Sequence, residues 1–300
     1  MASEAPENKK IILCPNMESD AGLKMTLKAG DILRKCGKQV IICPVFSDDY
    51  SFLGIGVSGG EKPEIEFSQL ENELPSAEMI VTFGGDGTIL RAARAAADPG
   101  IPILGLNMGG KGFIAELETD EIGLLNTVAA GGYTIENRMM LDVVVMRNGG
   151  PVYRDYALND VVVKGDNKVI DLTLFGDGQE ISHFSGDGAV VATPTGSTAY
   201  SMAAGGPIVE PSAHNIIITP ICAHILDAKS FVLVSDRKVS IEIGWRKHNP
   251  AFISVDGGDR VQIQSGDVVA VSKSERYTRL VRLSDRSFYR KVSEKLGERE

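Results

Sequence analysis

The first 130 residues alternate short apolar runs with longer amphipathic stretches. Short apolar runs are typical of buried strands, whereas apolar positions that recur every helical turn are typical of helices. We predict strands at 10–15, 39–45, 79–83 and 101–105, and helices at 22–36, 89–97 and 120–130. A β-α-β order favours a parallel sheet with helices on its faces. The pattern therefore predicts an α/β domain over residues 1–130.

From Tyr133 onward the apolar positions follow the alternating pattern of strands instead. Clusters of turn-forming residues, such as Asn148-Gly149-Gly150, separate the short runs and favour antiparallel pairing. The predicted strands lie at 140–146, 153–164, 169–175, 180–184, 189–192, 216–221, 231–234, 238–243, 252–255, 260–264, 268–272 and 279–283, and a short helix follows. We therefore predict a mostly antiparallel β domain over residues 131–275 and a C-terminal segment over 276–300.

Composition narrows the class of protein. Of the 300 residues, 43% are hydrophobic and 24% are charged, and the net charge is −9. This is an ordinary globular composition, and the acidic balance argues against nucleic-acid and anionic-membrane partners. No apolar run reaches the roughly 18 residues of a membrane span, and the N-terminus lacks an apolar signal segment. We therefore expect a cytoplasmic protein without nucleic-acid or membrane partners.

The cysteines support the same location. None of the four lies in Cys-x-x-Cys spacing, and Cys14 and Cys43 lie within apolar runs that resemble strands. Cysteines in such runs are typically buried and reduced. We therefore predict reduced thiols in a reducing compartment.

Candidate chemistry is most concentrated at residues 84–88, between a predicted strand and a predicted helix. These residues read Gly-Gly-Asp-Gly-Thr. Backbone N–H groups and the helix dipole favour a phosphate at such a junction, and glycines permit positive φ and close backbone approach. Because a carboxylate repels a phosphate, Asp86 would have to be a general base, a metal ligand or a ribose contact. An Asp-Gly turn with Thr88 as the helix N-cap is the alternative.

Two other glycine-rich stretches are weaker candidates. Residues 54–59 match the dinucleotide-binding pattern, but no strand precedes them and Pro63 opposes a following helix, so we predict a flexible loop. Residues 105–113 fail the Walker A pattern because Gly112 stands where a Ser or Thr would hold the metal. Asn107 and the neighbouring glycines still follow a predicted strand, at the edge where open α/β sheets bind ligands.

A second polar stretch, residues 186–200, interrupts the β domain. It reads Gly-Asp-Gly-Ala-Val-Val-Ala-Thr-Pro-Thr-Gly-Ser-Thr-Ala-Tyr, and we predict a helix at 198–204. Hydroxyl groups and a helix start offer donors to an anionic or sugar ligand, and Tyr200 offers a face on which a base could stack. A capping turn rich in Ser and Thr is the alternative.

Three further positions have two interpretations each. Asp187 and Asp256 lie beside glycines, so each is either a site residue or a hairpin-turn residue. Asn159-Asp160 interrupts a strand pattern, as either site residues or a β-bulge would.

Metal-dependent and hydrolytic chemistry have little support. The histidines, His183, His214, His224 and His248, show no metal-ligand spacing, so we predict no metal site built from protein side chains. The chain also lacks the Gly-x-Ser-x-Gly elbow of Ser-His-Asp hydrolases.

Taken together, these motifs resemble those of NAD kinases. The resemblance depends on the glycine motif at 84–87, Asn159-Asp160, Gly186-Asp187-Gly188 and residues 193–200, and residues 105–113, 219–224 and 254–257 fit the same family. It extends over residues 10–296. The glycine motif is shared with diacylglycerol-type lipid kinases and phosphofructokinases, whereas the stretch 193–200 is highly specific.

The resemblance implies an α/β N-terminal domain, a C-terminal domain of β-sandwich type and a C-terminal segment that returns to the first domain. It also implies transfer of the γ-phosphate of ATP to the 2′-hydroxyl of the adenosine ribose of NAD, with Mg²⁺ carried in by ATP, in a homodimer or homotetramer. Asp86 would be the proton acceptor. The residues implied to bind NAD are Asp86, Gly87, Asn159, Asp160, Asp187, Thr198, Ala199, Tyr200 and Ala203. Those implied to hold phosphates are Gly84, Gly85, Gly87 and Thr88, and further possible contacts are Asn107, Lys111, Phe113, Ser185 and Asp256.

Two departures from the family pattern bear on these contacts. Lys111 stands where many members have Leu before Gly-Phe, and Ser201-Met202-Ala203 follows Tyr200 where some have Asn or Ser. The first could alter phosphate contacts and the second adenine contacts.

Two other functions remain alternatives. One is a diacylglycerol-type lipid kinase with the same glycine loop, against which the acidic charge and residues 193–200 count. The other is a non-catalytic regulator that binds NAD or another nucleotide, which would have no use for Asp86.

Overall fold

The computed structural model of the chain describes residues 9–44, 68–110, 112–224, 228–244, 250–283 and 288–297. The predicted loop at 54–59, Lys111 and His248 lie outside the described residues. The chain divides into two compact units, Met1–Asn137 with Thr278–Glu300, and Arg138–Tyr277. Each unit has its own hydrophobic core.

The described residues form the following regular elements. The helices are α1 (Lys24–Lys35), α2 (Leu70–Glu73), α3 (Asp86–Ala96), α4 (Leu125–Ala129), α5 (Tyr200–Ala203) and α6 (Phe288–Gly297). Short 3₁₀ turns lie at Ala21–Leu23, Leu74–Ser76, Thr119–Leu124 and Thr195–Thr198. The strands are β1 (Lys10–Pro15), β2 (Gln39–Ile42), β3 (Ala77–Gly84), β4 (Ile103–Asn107), β5 (Thr134–Arg147), β6 (Gly150–Ala157), β7 (Asp160–Gly165), β8 (Ile170–Gly176), β9 (Gln179–Gly186), β10 (Gly188–Ala192), β11 (Asn215–Ile221), β12 (Phe231–Val234), β13 (Val239–Ile243), β14 (Ala251–Val255), β15 (Val261–Ile263) and β16 (Val268–Arg282).

A parallel sheet lies at the centre of the first unit. Its strands follow the order β2-β1-β3-β4, and the last part of β16 pairs in parallel with β4 at Leu280 and Ile103. Most residues of β1, β3 and β4 are buried, as expected for parallel strands, which are usually covered on both faces. The predicted parallel α/β fold of the N-terminal part is therefore confirmed.

Helix α1 begins and ends close to its predicted boundaries. The predicted helix at 22–36 is a 3₁₀ turn followed by α1. Gly37 follows it with a φ of +79°. The N–H of Gly37 donates to the carbonyl of Arg34 at 2.9 Å, and the N–H of Lys38 donates to the carbonyl of Leu33 at 3.0 Å. These two bonds are the Schellman arrangement that ends a helix.

Among the described residues, no helix is both long and apolar enough to cross a membrane.

Two mostly antiparallel sheets pack face to face in the second unit. One follows the order β12-β11-β10-β7-β14-β15, and the other joins β9, β8, β13 and the first part of β16, with β5 and β6 paired beside them. Alternate residues of both sheets, such as Val163 and Ile241, share one buried core. The predicted antiparallel β-sandwich is therefore confirmed.

The chain is divided into strands differently from the prediction at two places. The run 153–164 is two strands, because the chain between β6 and β7 directs its N–H groups to the carboxylate of Asp256 instead of to a neighbouring strand. The runs 268–272 and 279–283 form one continuous strand, β16. Val271 lies in the core of the second unit and Val281 in that of the first, so both ends of β16 are held by apolar contacts.

The cysteines differ in accessibility. Cys14 and Cys43 are buried, whereas Cys36 and Cys222 are exposed, and all four are free thiols. Burial raises the pKa of both buried thiols, to about 12 for Cys43. The predicted burial of Cys14 and Cys43 is confirmed.

We expect a maleimide to label Cys36 and Cys222 in the folded protein and all four cysteines after unfolding, because the reactive species is an accessible thiolate. Mass spectrometry after brief labelling near neutral pH counts the modified thiols. The double variant Cys36→Ser/Cys222→Ser should remain unlabelled until it unfolds. Rapid labelling of Cys14 in the folded protein would contradict this assignment.

Candidate active site

The glycine motif lies where β3 ends and α3 begins. Gly84 is the last residue of β3, Gly85 occupies the N-cap position, and Asp86 is the first residue of α3. The helix therefore starts three residues earlier than residue 89, and the alternative in which Thr88 is the N-cap is wrong. The first N–H groups of a helix have no acceptor within the helix and carry the positive end of its dipole. Asp86 and Gly87 contribute these groups.

The glycines of this motif differ in purpose. None of Gly84, Gly85 and Gly87 adopts the positive φ that glycine permits. A Cβ on Gly84 would lie 2.2 Å from the Thr88 hydroxyl, whereas one on Gly85 or Gly87 would meet no other described residue within 4 Å. Thr88 itself is buried, and its N–H donates to the carbonyl of Gly85 at 3.0 Å. Gly84 therefore permits close packing, and Gly85 and Gly87 leave open space over the helix N-terminus.

The carboxylate of Asp86 is held by the loop that follows β4. Its Oδ2 accepts the N–H of Phe113 at 2.7 Å, and its Oδ1 accepts the N–H of Ile114 at 3.2 Å. A Cβ on Gly112 would lie 2.7 Å from Oδ1, so only glycine allows this approach. A carboxylate has about four lone pairs, so each oxygen keeps a lone pair for a further donor. Asp86 is thus fixed in orientation and still able to accept a proton.

Asn107 supports the same loop from the end of β4. Its side chain is buried, and its Nδ2 donates to the carbonyl of Gly110 at 3.2 Å and to Glu118 at 2.9 Å. The Oδ1 of Asn107 is buried without a partner among the described residues. The predicted loop at the carboxyl end of β4 therefore exists, and Asn107 fixes its shape.

In the second unit, Asp256 organises the predicted Asn159-Asp160 motif. Its carboxylate accepts the N–H groups of Leu158, Asn159 and Asp160 at 2.7, 2.7 and 3.0 Å. Asp256 and Gly257 have φ values of +50° and +70° in the turn between β14 and β15. Asp256 is therefore a turn residue, as one interpretation predicted, and its side chain also holds the motif.

The segment after β10 bonds to the other side of the same backbone. The N–H of Thr193 donates to the carbonyl of Asn159 at 2.9 Å, and its hydroxyl donates to the carbonyl of Leu158 at 2.6 Å. A Cβ on Gly196 would lie 2.1 Å from the Asn159 carbonyl oxygen, so glycine is required there. The structure thus brings together three sequence-predicted groups: residues 159–160, 193–200 and Asp256.

Asp160 and Tyr200 meet at the edge of this cluster. Asp160 is buried and accepts the backbone N–H of Tyr200. Burial and, secondarily, the charge of Asp256 raise the pKa of Asp160 to about 7, although the Tyr200 N–H lowers it. The Tyr200 ring is 38% exposed, and Ala203 follows it in α5. An exposed ring beside a buried acid suits a ligand that has both a planar base and polar groups.

Thr198 and Ala199 lead into this helix. The hydroxyl of Thr198 donates to the carbonyl of Thr195 at 3.3 Å, and the N–H of Ala199 donates to the carbonyl of Gly196 at 3.0 Å. The predicted helix at 198–204 is shorter than expected, because the residues before Tyr200 form a 3₁₀ turn.

Asp187 and Ser185 lie apart from this cluster. The five residues of β10 separate Asp187 from Thr193, and these six residue steps of strand correspond to about 20 Å. The N–H of Asp187 donates to the carbonyl of Ile221 at 3.0 Å, and the Ser185 hydroxyl donates to the carboxylate of Asp171. The hairpin interpretation of Asp187 is wrong, because β9 and β10 belong to different sheets.

One residue of this cluster was not predicted from the sequence. Arg138 is buried, and its guanidinium donates to the hydroxyl of Thr195 at 3.2 Å. The sequence could have indicated this residue, because Arg138 stands immediately before the apolar run that begins at Met139. A buried arginine is rare unless it is paired, so an arginine beside a predicted core strand is a candidate for a specific role. Among the described residues, no group of three His, Cys, Asp or Glu side chains is arranged to hold a metal ion.

We expect Asp256→Asn to lower the free energy of unfolding by about 1–3 kcal/mol, because an amide nitrogen replaces one acceptor and leaves a backbone N–H unpaired. Asparagine tolerates the positive φ of this turn, so the change isolates the loss of the carboxylate. Urea denaturation measures the difference. The exposed Asp259→Asn, from the same turn, is the matched control. Equal stability of the two variants would show that the three hydrogen bonds contribute little.

We expect Asp160→Asn to gain stability relative to the wild type as pH rises from 5 to 8. With its pKa raised to about 7, folded Asp160 holds a proton that unfolded Asp160 loses near pH ~4. The wild type therefore loses stability as pH rises through this window, and an asparagine does not. Denaturation curves at four pH values measure the difference, with Asp259→Asn as the control. A difference that stays constant with pH would contradict the raised pKa.

Comparisons with known proteins agree with these motifs. Residues 56–133 match the family model of the ATP-NAD kinase N-terminal domain, and residues 158–283 match that of the ATP-NAD kinase C-terminal domain. The NAD kinase of Acetivibrio thermocellus is 35% identical over 97% of this chain and 98% of its own length. The NAD kinase of Natranaerobius thermophilus is 38% identical over 96% of this chain and 98% of its own length. The NAD kinase of Heliobacterium modesticaldum is 42% identical over 76% of this chain and 81% of its own length.

Solved structures share the fold. Yeast NADH kinase in complex with NADH superimposes with a TM-score of 0.83 at 22% identity, covering 98% of this chain and 89% of its own. An NAD kinase from Archaeoglobus fulgidus in complex with ATP superimposes with a TM-score of 0.70 at 24% identity, covering 97% and 100%. Identity and coverage of the curated relatives, together with the two domain matches, place the sequence without ambiguity. The chain belongs to the ATP-NAD kinase family.

Proposed function

We propose that this protein transfers the γ-phosphate of ATP to the 2′-hydroxyl of the adenosine ribose of NAD, which gives NADP and ADP. Family membership gives the reaction class, ATP-dependent phosphorylation of NAD. The observation that carries the mechanism is the Asp86 carboxylate, which is fixed by two backbone N–H groups beside the open N-terminus of α3.

Asp86 acts as the general base in this proposal. The 2′-hydroxyl gives its proton to a carboxylate oxygen of Asp86 as its own oxygen bonds to the γ-phosphorus. The bond between that phosphorus and the bridging oxygen of ADP breaks at the same time, and its electron pair leaves with ADP. A positioned base of this kind contributes about 10²–10⁴ to the rate. The hydrogen bonds from Phe113 and Ile114 keep the carboxylate from rotating away from the hydroxyl.

The phosphates of ATP lie over Gly85 and Gly87 in this proposal. The space above both glycines is open, and the helix N-terminus directs N–H groups and partial positive charge into it. A Mg²⁺ ion bound to ATP would need few protein ligands, because phosphate oxygens and water usually supply most of them. When bound, it neutralises the charge that develops on the transferred group.

NAD binds through the cluster of the second unit. The Oδ1 of Asn159 is buried without a partner among the described residues, and a buried acceptor calls for a donor, such as the adenine amino group. The exposed ring of Tyr200 would stack on a base, and Asp160, Thr198, Ala199 and Ala203 would line the same pocket. These roles are assigned by the resemblance and supported by the convergence of the motifs.

The oligomeric state and the location are also proposals. We propose a homodimer or homotetramer, which would let a neighbouring subunit supply Asp187, since β10 separates Asp187 from Thr193 within one chain. Size-exclusion chromatography with light scattering tests this. We propose a cytoplasmic location, because the four thiols are free and cytoplasmic thiols are kept reduced.

Two alternatives are less well supported. A diacylglycerol-type lipid kinase would share the glycine motif, but family membership and the cluster around residues 193–200 favour NAD. A non-catalytic regulator would bind NAD and form no NADP. Incubation with ATP, Mg²⁺, NAD and diacylglycerol, followed by detection of both NADP and phosphorylated lipid, separates all three, because the regulator forms neither product.

We expect Asp86→Asn to reduce the rate of NADP formation at least about 10²-fold, the usual scale for a lost general base. Calorimetric titration should show NAD binding within a few fold of the wild type, because the proposed contacts from Asn159, Asp160 and Tyr200 lie in the second unit and are unchanged. The matched control is Asp31→Asn, whose side chain on α1 is 70% exposed. Turnover close to that of the wild type in Asp86→Asn would remove Asp86 from the chemical step.

A further inference from the structure

The loop that holds Asp86 is itself held by the C-terminal part of the chain. The Arg282 guanidinium, at the end of β16, donates from its Nη1 to the carbonyl of Ile114 at 3.0 Å. The N–H of Leu283 donates to the carboxylate of Glu116 at 3.0 Å, and the ammonium of Lys291, in α6, donates to the carbonyl of Ala115 at 2.9 Å. Three consecutive residues of the loop are thus bonded to three residues from the end of the chain.

Most of these contacts are shielded from water. The side chains of Arg282 and Glu116 are 15% and 3% exposed, and their ion pair measures 3.1 Å. The Nε of Arg282 also donates to Glu136 at 2.6 Å. Breaking a buried ion pair on one side is costly, because the remaining charge is left without a partner. The guanidinium therefore has one well-defined position, set by two carboxylates.

Ile114 connects this network to the proposed base. Its carbonyl accepts from Arg282, and its N–H donates to the Oδ1 of Asp86 at 3.2 Å. The loop also returns to β4, since the N–H of Glu116 donates to the carbonyl of Gly105 at 3.0 Å. With its two polar backbone groups bonded in this way, Ile114 cannot rotate without losing one of them. The orientation of the Asp86 carboxylate then depends on Arg282.

We propose that Arg282 is a positioning residue for phosphoryl transfer, which acts on Asp86 through the backbone of Ile114. This inference rests on the proposed role of Asp86. The loop holds the Asp86 carboxylate through the backbone N–H groups of Phe113 and Ile114, so the contribution of Arg282 through Ile114 is positional. Weakening the hold on Ile114 lets the Asp86 carboxylate rotate and lowers kcat, while NAD binding in the second unit is unaffected.

The test compares substitutions of two arginines on the same strand. Arg282→Lys keeps the positive charge, but a lysine cannot reach Glu116, Glu136 and the Ile114 carbonyl together. We therefore expect kcat to fall about 10-fold, which is less than the ~10²-fold loss that a 1 Å misplacement can cause. The KM for NAD should change less than about 3-fold, because a large rise in KM at unchanged kcat would instead mark a loss of substrate binding. The control is Arg279→Lys, whose parent side chain donates to the carbonyl of Gly100 at 2.9 Å, away from the loop. Arg282→Lys kinetics equal to those of Arg279→Lys would overturn the proposal.

A double-mutant cycle shows whether the effect passes through Asp86. In the Asp86→Asn background, Arg282→Lys should lower the residual rate less than 2-fold, because the base that it positions is gone. A full 10-fold loss in both backgrounds would assign Arg282 a role independent of Asp86 and overturn the proposal. An inactive wild type would instead contradict the proposed function, and an active Asp86→Asn would contradict the role of Asp86, so the three failures are distinguishable.

A structural readout complements the kinetics. The amides of Phe113 and Ile114 should exchange hydrogen with solvent faster in Arg282→Lys than in Arg279→Lys, because their acceptor is no longer fixed. If Arg282→Lys folds poorly, Lys291→Met replaces it, with Arg290→Met from the exposed face of α6 as its control. Unchanged exchange of both amides, together with unchanged kcat in Lys291→Met, would contradict the positioning role of the C-terminal segment.

Discussion

Hydrogen bonds from backbone N–H groups to aspartate carboxylates are the interaction on which the candidate residues of each unit depend. Asp86 accepts two of them in the first unit, and Asp256 accepts three in the second. Charged hydrogen bonds of this kind are stronger than neutral ones and fix a peptide in one orientation. Asp256 sits at a turn and organises Asn159 and Asp160. Asp86 lies beside open glycines, so it retains acceptor capacity for a substrate.

Glycines serve two opposite purposes around these carboxylates. At Gly112 and Gly196 a Cβ would collide with a carboxylate and a carbonyl oxygen, at 2.7 and 2.1 Å, so glycine allows the chain to pack closely. At Gly85 and Gly87 no neighbouring side chain or loop in the described part of the chain lies within 4 Å of a Cβ, so glycine leaves space for a ligand. Both kinds look alike in a sequence. Only the positions of their neighbours separate a packing requirement from a binding requirement.

Local patterns predicted the strands and helices well, and long-range contacts much less. The run at 79–83 and the Gly37 cap depend on neighbouring residues, so the sequence indicated both correctly. The donors to Asp86 lie 27 and 28 residues away in the sequence, and Arg282 bonds to Ile114, which lies 168 residues away. The spacing of apolar and polar residues contains no information about contacts between such distant positions. The family resemblance identified the motifs. It did not indicate that Asp256 organises Asn159 and Asp160 through their backbone.

The indirect contact between Arg282 and Asp86 has a chemical advantage over a direct one. A guanidinium that touches a carboxylate favours its charged form and so weakens it as a base. Here Arg282 is paired with Glu116 and Glu136, which offset its charge, and it reaches Asp86 only through the peptide groups of Ile114. The carboxylate is therefore held in position by neutral N–H donors. A general base needs a fixed position, and this arrangement supplies it through peptide groups without placing the charge of Arg282 on the carboxylate.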